Sequence, residues 1–174
     1  DGVEIHHDGD LPARSGIGSS SAFAVGLLHA LYALTGSMVG PERLAADATH
    51  LERDVLDEPV GCQDQLICAL GGFRLITFER DGTWRADPVT LGPETVRGLE
   101  ERLLLVYTGP RLVPAGEPPP ADDTLLHSIQ QMPQTALLAL EAGDWEAFGE
   151  LLDHAWQLKR RLGPGVTTPE VDAL

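Results

Sequence analysis

Basic residues are scarce in this sequence. It sets 12 lysines and arginines against 27 aspartates and glutamates, a formal net charge of −15. That balance argues against sequence-independent nucleic-acid binding, which needs a basic footprint along the phosphates, and disfavours an anionic membrane surface. Any phosphorylated ligand would need a local positive pocket. Cysteine is nearly absent: Cys62 and Cys68 are the only two. They are too few, and wrongly spaced, for a disulfide framework or a zinc knuckle, so reduced thiols in a cytoplasmic protein are expected. No apolar run reaches membrane-spanning length, because charges or glycines interrupt every stretch. There is no internal repeat. The chain opens on Asp1 without a Met or a basic-then-apolar leader, and its last helix signal, Thr168-Pro169-Glu170, is cut off after Leu174. Both ends are therefore expected to be truncated. The histidines also lack metal-ligand spacing. His6 and His7 are adjacent, and His29, His50, His127 and His154 are scattered.

What is present is enough for one or two small domains with a core, in 174 residues of which 43% are hydrophobic. Val3 to His6 alternates like a short strand. Ser21 to Thr35 is apolar around most of its circumference and predicts a buried helix, ended by Gly36. Gly40-Pro41-Glu42 starts a second helix, with Leu44, Ala48, Leu51 and Val55 on one face and Pro59 as its breaker. Gln63 to Leu70 reads as a shorter helix closed by Gly71-Gly72. Phe73 to Glu79 and Trp84 to Val89 flank the hairpin signal Arg80-Asp81-Gly82-Thr83. The apolar run from Arg102 to Thr108 predicts a central strand, and the proline-rich stretch from Gly109 to Pro120 a loop. Asp122 to Gly143 reads as a helix kinked at Pro133. Asp144 to Leu162 reads as an amphipathic helix with Trp145, Phe148, Leu152, Ala155 and Trp156 near one stripe. This order predicts an α+β fold, a sheet-containing first part and a mainly helical second part.

Two stretches carry chemistry. The first is Pro12-Ala13-Arg14-Ser15-Gly16-Ile17-Gly18-Ser19-Ser20-Ser21, leading into a helix. Gly16 and Gly18 permit backbone conformations and close approaches that a Cβ forbids. The serines can cap the helix or offer hydroxyls, and the helix start directs free N–H groups at the loop. This suits a phosphate, although a simple capped turn has the same composition. It is not a Walker loop, since no Lys follows the last glycine, nor a dinucleotide fingerprint, since the third glycine is absent. The second stretch is Asp57-Glu58-Pro59-Val60-Gly61-Cys62-Gln63-Asp64-Gln65. Asp64 opens a helix, where N–H groups would hold its carboxylate ionised as a base or anchor for a sugar hydroxyl; a plain helix cap is the other reading.

The serine-glycine loop resembles the second motif of the GHMP kinases, in which it wraps the ATP phosphates. Gly61-Cys62-Gln63-Asp64-Gln65 with Gly71-Gly72 beyond it resembles the catalytic-aspartate turn of the sugar kinases in that superfamily, and Glu52-Arg53-Asp54 resembles its metal-ligand helix. The string from His50 to Gln65 followed by Gly71-Gly72-Phe73, together with Leu158-Lys159-Arg160 and the segment Gly165 to Asp172, is similar to one branch, the D-glycero-D-manno-heptose 7-phosphate kinases. The resemblance spans nearly the whole chain. It implies a two-layer sheet-and-helix N-terminal domain over residues 1–98 and the start of a mainly helical C-terminal domain over 99–174. It implies that Gly16, Ile17, Gly18, Ser19, Ser20 and Ser21 bind ATP, that Ser20 and Glu52 hold Mg²⁺, and that Asp64 orients or deprotonates the acceptor. Gly61, Gln63, Asp64 and Arg111 would contact a sugar phosphate. The implied reaction is phosphorylation of the anomeric O1 of the heptose, with a fucokinase-like or galactokinase-like enzyme, or a non-catalytic binding relative, as alternatives. Three departures bear on it. Cys62 stands where that branch is expected to carry Lys, Pro110-Arg111-Leu112-Val113-Pro114 departs from the loop expected after Thr108, and the first and last motifs of the superfamily are missing.

Overall fold

The computed structural model describes residues 2–10, 15–109, 122–163 and 166–173. Helix α1 (Ser19–Leu34) starts at Gly18, whose φ of 74° is left-handed. It ends at Thr35, and Gly36 (φ 73°) turns the chain away, as a glycine there can without strain. Helix α2 (Pro41–His50) begins with Pro41 in its first turn beside Glu42, the arrangement suited to a helix N-terminus. It runs directly into a π-helical turn, Leu51–Val55, in which the Leu56 N–H donates to the Leu51 carbonyl at 3.0 Å. Helix α3 (Gln63–Leu70) follows, then strands β1 (Arg74–Phe78) and β2 (Trp84–Pro88). They pair antiparallel, with Ile76 opposite Ala86 and Phe78 opposite Trp84. Asp81 holds the hairpin turn: its Oδ1 accepts from the Thr83 N–H (2.9 Å) and hydroxyl (2.6 Å). The remaining helices are α4 (Pro93–Glu100), α5 (Asp123–Ala142), α6 (Trp145–Arg160) and α7 (Pro169–Asp172).

The chain divides into two compact units, Asp1–Pro88 with Gly109–Arg111, and Val89–Thr108 with Leu112–Leu174. In the first, α1, α2 and α3 pack on one another around Ala24, Val25 and Ala48, with Leu28, Leu51 and Ala69 against them. Small residues at the centre let three short helices approach closely. A polar strap ties α1 to α2: the Tyr32 hydroxyl (2.5 Å) and Arg43 Nε (2.7 Å) both donate to Asp47 Oδ2. In the second unit, α5 and α6 form a helical hairpin. Gly143 (φ 67°) ends α5, and Asp144 starts α6 by accepting from the Ala147 N–H at 3.0 Å. Leu125, Leu140 and Leu158 are buried there. Trp145 lies on α4, where a Cβ added to Gly98 would come within 2.6 Å of its ring. The Arg102 guanidinium sits over the same ring, 5.2 Å from its centroid.

The architecture is α+β, with a small sheet in the first unit and helices in the second, in the order the sequence predicts. Several details differ. Val3 to His6 is irregular and exposed, and the predicted central strand is likewise irregular, with Leu104 86% exposed. Both have strand-like composition, but a strand needs an edge to pair with, and among the described residues neither is paired. Helix α1 is buried on one face only. Ser21, Ala24 and Val25 point inward, whereas Phe23 and Leu34 are exposed. Val55 leaves the predicted inner face of α2 because the π turn changes the angular step, and Leu152 is half exposed beside the buried stripe of α6. Helix α4 answers to no predicted element, although Gly92-Pro93-Glu94 repeats the Gly-Pro-Glu start of α2. Helix α5 runs through Pro133 without ending. Among the described residues, no helix is long and apolar enough to cross a membrane.

Candidate functional site

The site is built in the first unit from the start of α1, the π turn and the start of α3. Gly16 (φ 79°) and Gly18 (φ 74°) both take left-handed backbone, one residue apart, and feed the chain into α1. Among the described residues no side chain caps that helix, and its first backbone bond is Ala22 N–H to Gly18 C=O at 3.0 Å. The N–H groups of Ser19, Ser20 and Ser21 thus precede the helical ladder. The first turn itself carries no acidic side chain, which suits an anion drawn by the helix dipole. Residues 11–14, which begin the sequence motif, lie outside the described residues, as does Arg111.

The π turn sorts the Glu52-Arg53-Asp54 segment between interior and solvent. Glu52 is 4% exposed. Arg53 and Asp54 face outward, where Asp54 is held below the usual carboxylate range by its hydrogen bond from His50 first and by Arg53 second. A buried carboxylate requires hydrogen-bond partners, and among the described residues Glu52 has two. The Ser21 hydroxyl donates to its Oε2 at 2.8 Å and the Gln65 amide Nε2 donates to the same oxygen at 2.5 Å. These bonds join α1, the π turn and α3. The chain reaches α3 through Asp57, the single non-glycine residue with positive φ (57°) among those described. The Glu58 N–H closes back on the Glu52 carbonyl at 3.0 Å. Asp is tolerant of this conformation.

Asp64 stands in the first turn of α3. It does not act as a side-chain cap; among the described residues its carboxylate receives no hydrogen bond, and it is exposed. It lies against the glycine loop: a Cβ added to Gly18 would meet Asp64 Oδ2 at 3.4 Å. Four residues further along α3, the Cys68 thiol is raised above its ordinary value, by burial first and then by the charges of Asp64 and Glu52, although the residue as a whole is exposed. Cys62, half-buried, lines a cleft of about 220 Å³ with Thr49, Arg53, Leu66, Gly82 and Trp84. Gly61 and Gln63 are exposed at the entrance to α3.

The structure thus brings together Gly18, Ser21, Glu52 and Asp64. Ser20 is exposed one residue before Ser21, and it is the Ser21 hydroxyl that bonds Glu52. Among the described residues, no group of three or more His, Cys, Asp or Glu side chains converges as a metal cage. One carboxylate and nearby hydroxyls is instead a sparse donor set, of the kind that suits Mg²⁺, which keeps several waters. The residue that sequence reasoning left without a role is Gln65, 1% exposed. Its signal was position: adjacent to Asp64 on a helix, it must point about 100° away from it, inward where Asp64 points to the loop.

Residues 1–72 match the GHMP kinases N terminal domain family. The chain is 24% identical over 178 residues to the D-glycero-alpha-D-manno-heptose 7-phosphate kinase of Campylobacter jejuni, covering 98% of this chain and 52% of that protein. It is 26% identical over 185 residues to the bifunctional fucokinase/GDP-fucose pyrophosphorylase of Arabidopsis thaliana, covering 99% of this chain and 17% of that one. The crystal structure of a D-glycero-D-manno-heptose 1-phosphate kinase from Bacteroides thetaiotaomicron superimposes with a TM-score of 0.72 at 26% identity, over 87% of this chain and 46% of that chain. The chain therefore spans about half the length of the heptose kinases it matches, and less of the plant protein.

Proposed function

Starting from membership in the GHMP kinase superfamily, which these likenesses support, we propose that the protein transfers the γ-phosphate of ATP to a sugar hydroxyl. Phosphoryl transfer is mainly positioning and charge neutralisation. The loop Gly16-Ile17-Gly18-Ser19-Ser20-Ser21 cradles the phosphates with its glycine backbone and the leading N–H groups of α1. Ser20 and Glu52 hold Mg²⁺, which when bound neutralises phosphate charge. Asp64 orients the acceptor hydroxyl and takes its proton, and Gly61 and Gln63 flank the sugar. Arg111 pairs with a substrate phosphate. In this reading residues 1–98 belong to the nucleotide-binding N-terminal domain and 99–174 begin the C-terminal domain. The observation that supports it is the approach of the Asp64 carboxylate to Gly18 of the glycine-serine loop.

The acceptor is a sugar phosphate of the heptose type, phosphorylated at O1. Support comes from two heptose kinases that align with most of the chain. The plant fucokinase likeness favours a second reading, a fucose-type acceptor. ATP consumption measured over a panel of heptose 7-phosphate, fucose and galactose tests the choice. Turnover confined to the heptose phosphate is expected; turnover with fucose alone moves the assignment to the second reading. Binding of Mg-ATP without turnover on any sugar would point to a non-catalytic relative, consistent with Cys62 standing where a Lys is expected.

A further inference from the structure

We propose that Gln65 is a positioning residue that, together with Ser21, selects which oxygen of Glu52 is offered to a bound cation. This rests on the phosphoryl-transfer reading and adds a residue to its machinery. Both hydrogen bonds to the Glu52 carboxylate among the described residues arrive at one oxygen, Oε2, from Ser21 Oγ at 2.8 Å and Gln65 Nε2 at 2.5 Å. A carboxylate held at one oxygen by two donors from two different helices cannot rotate freely. Its other oxygen, Oε1, is left to coordinate, one oxygen to one ion. Gln65 is suited to this and to little else. It is 1% exposed, its amide nitrogen is spent on Glu52, and its Oε1 is buried with no hydrogen-bond partner among the described residues. A buried amide half-satisfied in this way weakens the fold relative to an apolar side chain of the same size, so packing alone does not account for a glutamine here. An oxygen acceptor at that depth, next to the carboxylate, also repels a second anion and leaves donors or a cation as the only groups that approach favourably.

The test compares the unsubstituted protein with Gln65→Met, which keeps the volume and removes the amide, and with Ser21→Ala, which removes the other donor. Mn²⁺ in the presence of ATP is titrated by electron paramagnetic resonance, so the readout does not depend on turnover. Thermal melts establish that each variant is folded. Partners that orient a metal ligand typically affect affinity by about 10- to 100-fold. A loss in that range is expected for Gln65→Met, with a lowered melting temperature because the buried carboxylate loses a donor, and a smaller loss of affinity for Ser21→Ala. Unchanged Mn²⁺-ATP affinity in a folded Gln65→Met variant overturns the positioning role while leaving the kinase reading intact. Unchanged Mn²⁺-ATP affinity in Ser21→Ala with a loss in Gln65→Met restricts the role to Gln65 and overturns the two-donor arrangement. An unsubstituted protein that binds neither Mn²⁺-ATP nor Mg-ATP overturns the phosphoryl-transfer reading itself, and the positioning role with it.

Discussion

At the scale of residues, Glu52 and Gly18 do the defining work. Burying a carboxylate to 4% exposure is unfavourable unless it is paired, and here the pairing is also what joins α1 to α3. Gly18 is required for backbone reasons. At φ 74° an L side chain is strained by roughly 1–2 kcal/mol, while its Cβ would sit at ordinary contact distance from Asp64, 3.4 Å. Gly36 offers a control, with φ 73° and, among the described residues, no heavy atom within 4 Å of where a Cβ would sit. Gly18→Ala and Gly36→Ala are expected to lower the denaturation midpoint by similar amounts, and only Gly18→Ala is expected to reduce phosphoryl transfer. Equal transfer in both would remove the loop from the site. The strap at Asp47 makes a pH prediction. Its carboxyl is held below its ordinary 3.8, by the Arg43 hydrogen bond first and with help from Tyr32, although burial pushes the other way. A lowered folded value means the ion pair contributes stability above the ordinary aspartate range and loses it as the pH falls through the lowered value. The stability gap between the unsubstituted protein and Asp47→Asn, followed by urea unfolding, should therefore be present at neutral pH and close below about pH 4. A gap that persists at low pH would assign the strap to shape and not to charge.

At the scale of elements, the π turn and α4 show what could be read in advance and what could not. The helix starts at Pro41 and Pro93 share one local signature, Gly-Pro-Glu. A clear apolar face follows the first and makes it legible, whereas α4 has no buried residue to mark one. Glycine turns, the Asp81 hairpin and the boundaries of α3, α5 and α6 were legible because they rest on local chemistry. The π turn was not, since Leu51, Glu52, Arg53, Asp54 and Val55 have no composition that forbids a plain α-helix. Its i→i−5 bond goes with the inward aim of Glu52, which local composition does not signal. Strand assignments at Val3 and Arg102 failed for a related reason: pairing is a property of two segments, and one segment's sequence cannot supply it. Gly98 carries the prediction at this scale. Alanine gains up to about 1 kcal/mol over glycine in a helix, but a Cβ 2.6 Å from the Trp145 ring must displace it, and overpacking of this kind costs about 1–3 kcal/mol. Gly98→Ala is expected to be net destabilising, with altered Trp fluorescence. A stabilised variant with unchanged fluorescence would show that Trp145 is free to move aside.

At the scale of the whole molecule, the acidic surplus and the site make opposite demands. A chain of net charge −15 repels ATP at long range, so in the proposed reading affinity comes from local N–H groups and a cation. Mg-ATP binding is accordingly expected to strengthen as moderate salt screens the surplus, as judged by calorimetry at two ionic strengths; weakening would indicate that surface cations, and not the helix start, recruit the nucleotide. The first unit holds the loop, Glu52 and Asp64 together. The central claim is that Asp64 acts on the acceptor beside a phosphate loop. Its most direct test is Asp64→Asn, assayed side by side for γ-phosphate transfer to heptose 7-phosphate and for Mg-ATP affinity. The account predicts that transfer falls by at least about 100-fold, the usual scale for a lost general base, while Mg-ATP affinity is retained. Transfer at the unsubstituted rate in Asp64→Asn would contradict it.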